Sequence, residues 1–155
     1  MSKVKNELPC PTESAEQIAL FRWAELQRKN MPGLELIYHI PNGGSRNKAE
    51  AANLKMQGVK AGVPDICLPV ARGHWHGMYI EMKRRKGARV SSKQREYIEA
   101  LRKQGYLAVV CKGWCEAAMH IEGYMRYDER LKKMYDGLLR LPGDEELYIH
   151  EGDDA

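Results

Sequence analysis

Apolar positions follow two rhythms along this chain, and the switches between them mark its elements. Leu20, Trp23 and Ala24 form part of a helical stripe, and Ser14 followed by Gln17 fits a capping box, so a first helix is predicted over about residues 15–29. Met31-Pro32-Gly33 breaks it. LELIYHI (34–40) then reads as a strand, PNGGSR (41–46) as a loop, and about 48–57 as a second helix. GVKAGVP (58–64) is a further loop. Strands follow at 65–69 and 78–83, joined by a turn around ARGHWHG (71–77). Ser91 with Gln94 repeats the capping-box spacing and opens a helix to about Gln104, with Tyr97, Ile98 and Leu101 inward. Gly105 ends it, and YLAVVCK (106–112) is a buried-looking strand. Trp114, Ala117, Ala118, Ile121 and Met125 return to the helical period, and 127–142 reads as further helix. This order predicts an α/β fold: a mixed central β-sheet flanked by helices, with extra C-terminal helices.

One stretch breaks the pattern. GVPDICLPVARGHWHGMYIEMKRRKG (62–87) sets Asp65 at the head of one apolar strand and Glu81 and Lys83 at the end of the next. Side chains alternate faces along a strand, so Met78, Ile80 and Met82 share one face while Tyr79, Glu81 and Lys83 share the other. A hairpin turning near Gly73 puts Asp65 directly across from Glu81, where Cβ atoms are about 4.5–5.5 Å apart and like charges repel. A protonated carboxyl or Lys83 alone could offset that repulsion. A hard divalent cation with oxygen ligands does so most directly, and carboxylates suit Mg²⁺ or Mn²⁺ better than zinc.

Composition changes this picture little. The chain has 155 residues, 43% hydrophobic and 30% charged, which fits one domain. It contains no apolar run of about 18 residues, and MSKVKNELPCP lacks the apolar stretch of a secretory leader, so a cytoplasmic protein with reduced cysteines is expected. Cys111, Cys115 and His120 fit no zinc spacing. Charge distribution matters more than the net +4. From Glu81 to Lys103 there are nine basic residues against three acidic ones, whereas GDEELYIHEGDDA (143–155) holds six acids and no Lys or Arg. The basic segment suggests a polyanionic partner, although a solvated helix face has the same composition. The acidic end reads as a solubilising tail.

Pro64-Asp65 followed by Glu81-Met82-Lys83 resembles the PD-(D/E)xK nucleases. IPNGGSR (40–46), Leu54…Gly58, GVPD (62–65), IEMK (80–83) and SSKQ (91–94) narrow the resemblance to the VRR-NUC branch, especially its small stand-alone phage and bacterial members. That resemblance implies a restriction-endonuclease-like core. It divides the chain into an N-terminal arm (1–13), a VRR-NUC nuclease domain (14–126), a C-terminal helical extension (127–142) and the acidic tail (143–155). It implies Asp65, Glu81 and the main-chain carbonyl of Met82 as ligands of Mg²⁺ or Mn²⁺, with Lys83 positioning water or stabilising the developing charge. Family members carry an acid on the first helix, best matched by Glu16, and a glutamine matched by Gln94. Each also has a duller reading, since Glu16 suits a helix N-terminus and Gln94 completes a cap. Asn42, Gly43, Gly44 and Arg46 match a loop suited to phosphate contact, and Lys86, Arg89, Lys93 and Arg95 are expected to meet the DNA backbone.

His39 is read as packed or exposed rather than catalytic. The resemblance further implies a homodimer in a bacterial or phage-infected cell that cuts branched DNA, such as four-way junctions, to leave 5′-phosphates. The helical segment after Gly113 is the expected dimer surface. Flap, fork or non-specific cleavage by the same fold is the nearer alternative. A non-catalytic nucleic-acid-binding module is the remoter one, because it would not need Asp65, Glu81 and Lys83 together.

Overall fold

In the computed structural model, which describes residues 10–41 and 48–127, the first helix is capped by Thr12 rather than Ser14. Thr12 has an extended backbone, and its hydroxyl accepts from the Ala15 N–H at 3.2 Å. This starts α1 at Glu13 and carries it to Gln27, leaving Ser14 inside the first turn. Leu20 and Ala24 are buried as the stripe predicts.

The strand predicted at 34–40 is mostly not one. Gly33 takes φ +101°, a left-handed value that bends the chain into a 3₁₀ turn over Leu34–Leu36 and drops Leu34 into the core. Only Tyr38–His39 remains as β1. Then come α2 (Lys48–Met56), β2 (Ile66–Leu68), β3 (Met78–Lys83), α3 (Ser92–Lys103), β4 (Leu107–Lys112) and α4 (Trp114–Met125).

The four strands form one mixed sheet in the order β1-β2-β3-β4, antiparallel except for the parallel β3–β4 pair. Ile66 pairs with Ile80 and Leu68 with Met78, so the same register carried one step outward sets Asp65 against Glu81. The parallel pair needs a crossover, which α3 supplies on one face. α1 and α4 cover the other. Met78, Ile80 and Met82 pack there against Leu20, Ala24, Ala117, Ile121 and Tyr124. Tyr124 keeps its hydroxyl satisfied by donating to the Val70 carbonyl. Beneath α3, Ile98 packs on Val90, Ala108 and Val110, with Tyr79 and Leu101 at the margin.

α4 turns Ala117, Ala118, Ile121, Tyr124 and Met125 into this core and exposes Met119; most of the segment after Gly113 expected to form a dimer surface lies outside the described residues. Apart from Tyr127, the predicted helical extension and the acidic tail lie outside the described residues. No helix among the described residues is long and apolar enough to cross a membrane.

Candidate active site

The site grows out of a break in the β2–β3 ladder. β2 stops short of Asp65, and the Asp65 side chain takes over the pairing: Oδ2 accepts the Met82 N–H at 2.8 Å. The N–H and C=O of a strand residue leave the backbone toward the same neighbour, so the Met82 carbonyl is also directed to the Asp65 side. On its outer edge the Asp65 carbonyl accepts from the Ile40 N–H at 2.7 Å and from His39 Nδ1 at 2.8 Å. His39, set aside by the sequence reading, therefore helps fix the residue that leads β2. Its signal was hidden in the β1–β2 register, which local pattern does not reveal.

Glu81 is 1% exposed and lies within hydrogen-bonding reach of the Asp65 carboxyl. Its Oε1 receives Lys83 Nζ at 2.9 Å and the Gln94 side-chain amide. Gln94 completes the cap and also touches Glu81. Its Oε1 accepts the Ser91 N–H at 2.9 Å, completing the capping box, and that bond turns Nε2 toward Glu81. Gly62 makes the approach possible. A Cβ there would stand 2.4 Å from the Lys93 carbonyl oxygen, so GVPD lies directly on the first turn of α3.

These contacts leave negative charge uncompensated. Burial and then the adjacent Asp65 charge push the Glu81 carboxyl up to about 7, against the pull of Lys83. Burial also raises Asp65, although the Met82 N–H, Lys83 and His39 oppose it. Glu81 Oε2 is buried and has no hydrogen-bond partner among the described residues. Two facing carboxylates, one with such an oxygen, and a carbonyl directed at them form an all-oxygen donor set that fits Mg²⁺ or Mn²⁺. Among the described residues no three His, Cys, Asp or Glu side chains converge, which does not fit a zinc cage.

Glu16 is brought elsewhere. It is 1% exposed, its Oε1 pairs with Arg85 Nε at 2.7 Å, and its Oε2 accepts the Trp114 N–H at 2.9 Å. It thus ties α1 to the residues after β3 and to the N-terminus of α4, where a carboxylate is favoured. Glu13, one turn earlier and exposed, adds a minor unfavourable charge at Glu81. Glu13 and Glu16 lie three residues apart on α1, so position along the helix alone does not separate them.

Lys86, Arg89 and Lys93 are exposed on the loop after β3 and on the first turn of α3 beside Gln94, whereas Arg95 is partly buried. Asn42, Gly43, Gly44 and Arg46 lie outside the described residues.

The VRR-NUC domain family matches residues 11–114. The chain is also similar to a solved structure of a VRR-NUC domain protein, with 36% identity and a TM-score of 0.66 over 76% of this chain and 91% of that one. No curated protein matches. The match spans α1 through β4 and so includes Asp65, Glu81, Lys83 and Gln94; the chain belongs to the VRR-NUC family, and its domain is a nuclease of the restriction-endonuclease-like fold.

Proposed function

We propose that this protein is a metal-dependent, structure-selective DNA endonuclease that leaves 5′-phosphates, acting as a homodimer on branched DNA such as four-way junctions. The observation that carries the reading is the pair of facing carboxylates at Asp65 and Glu81, with the buried Glu81 Oε2 lacking a donor among the described residues. Asp65, Glu81 and the Met82 carbonyl would hold the ion. A Mg²⁺ or Mn²⁺ ion there supplies positive charge to the scissile phosphodiester and acidity to the attacking water. Lys83, fixed against Glu81 Oε1, presents an ammonium to the charge that develops at phosphorus. Gln94 shares the same oxygen and keeps the Glu81 carboxylate from rotating. Glu13 adds negative potential from α1, and Glu16 holds Arg85 and α4 in place behind the site. Lys86, Arg89 and Lys93 meet the phosphate backbone, which makes binding salt-dependent and independent of sequence.

A two-fold pair of such sites would incise opposing strands of a junction. Labelled flap, fork, nicked and four-way substrates, incubated with Mg²⁺, Mn²⁺ or EDTA, test this reading. Cleavage that EDTA abolishes, with symmetric cuts confined to the four-way form, is the expected result. Equal cleavage of flaps removes the junction preference and leaves the flap and fork reading.

A further inference from the structure

The sheet face that bears the carboxylates continues into a row of aromatic side chains. Tyr38, Cys67, Tyr79 and Ala108 are register partners across all four strands. Cys67 lies two residues from Asp65, and Tyr79 two residues from Glu81, so the row projects to the same face as the acids. Its distance from them along the strands is roughly 7 Å. Tyr38 and Tyr79 flank Cys67 in that row, one on each neighbouring strand. Tyr106 stands edge-on to Tyr79 with ring centroids 5.4 Å apart, and His76 edge-on to Tyr106 at 5.8 Å. α3 lies over β4, at the far side of the sheet from β1, and Tyr38 remains 48% exposed.

Exposed on the edge strand, Tyr38 offers an aromatic ring to whatever occupies the site. Every nucleobase has a π-face, and base–aromatic stacking tolerates any sequence. A base inside a continuous duplex has both faces covered by its neighbours. One freed at a branch or in a flap does not.

We infer that Tyr38 is a stacking surface for an unpaired or unstacked nucleobase next to the scissile phosphate. This deepens the nuclease reading on which it rests, since it assigns as substrate class DNA whose base stack is interrupted beside the cut. Tyr38 is offset from Asp65 by about 7 Å along the strands and one strand spacing of about 4.8 Å across them, so a nucleotide adjoining a phosphate held at Asp65 can lay its base on Tyr38. A contact of this kind selects structure without reading sequence, which suits a domain whose other expected contacts are Lys and Arg.

The test places 2-aminopurine beside the branch of flap and four-way DNA and, as a control, within continuous duplex, with EDTA present so that nothing is cut. The wild-type protein and Tyr38→Phe should quench the probe at the branch but not in the duplex, and Tyr38→Ala and Tyr38→Leu should lose the quenching while melting near the wild type. With Mg²⁺ or Mn²⁺, Tyr38→Ala should raise KM for branched substrates about tenfold and leave kcat nearly unchanged. Quenching that survives in Tyr38→Ala, or the same KM change on continuous duplex, overturns the inference. Quenching that depends on Tyr38 in a protein that cuts nothing would uphold the stacking surface while removing the nuclease reading. Cleavage without Tyr38-dependent quenching would do the reverse.

Discussion

At the scale of single residues, the protein holds two acids where neither ionises easily. Glu81 rises from its ordinary 4.5 to about 7, so between those values the folded state holds a proton that the unfolded chain has released. The sign follows. Without metal, the contribution of Glu81 to stability is full below about 4.5 and is lost as pH climbs to about 7, an amount on the order of 3 kcal/mol. Thermal melts from pH 5 to 8 should show this slope, and saturating Mn²⁺ should flatten it. Metal affinity should rise over the same interval, since the ion competes with the shared proton. Asp65→Asn, Glu81→Gln and Lys83→Ala should each lower cleavage by at least about 10²–10³-fold while leaving folding and DNA binding largely intact, as read by circular dichroism and gel shift. Near-normal cleavage by any one of them would show its assigned role to be wrong.

At the scale of elements, two predictions separate the observed caps and contacts from those the sequence suggested. Thr12→Ala should destabilise α1 by about 1 kcal/mol, whereas Ser14→Ala should change little, measured by urea unfolding. Gly62→Ala forces GVPD away from α3 and should cost both stability and metal affinity, because Asp65 and Gln94 lie on the two sides of that contact. Pattern alone located β3, the α3 capping box and the Asp65–Glu81 register, since alternation and cap spacing are local signals. It misread 34–40 because a positive φ at Gly33 is not written in hydropathy, and it chose Thr12's neighbour because both residues can cap. His39 and the Glu13–Glu16 distinction depend on which elements meet, and meeting is a tertiary property. Glu16→Gln should keep the Trp114 bond and much of the stability, while Glu16→Ala, which strands Arg85 and the α4 N-terminus, should not.

At the scale of the whole molecule, the larger hydrophobic core lies between the sheet and α1 and α4, and α3 packs a smaller one on the other face, beside the charged cluster of Asp65, Glu81 and Lys83. The candidate chemistry is therefore carried on the face with the smaller core, and the hairpin β2–β3 belongs to both. The proposed phosphate contacts of the basic side chains after β3 predict salt-dependent DNA binding, and replacing Lys86, Arg89 and Lys93 together should lower the slope of log affinity against log salt by about three. The central claim is that the Asp65–Glu81 pair is a cation site. Anomalous diffraction from crystals grown with Mn²⁺ tests it most directly. A single peak within coordination distance of both carboxylates and the Met82 carbonyl is the predicted result, and full-occupancy manganese elsewhere, with these three groups unliganded, would contradict it.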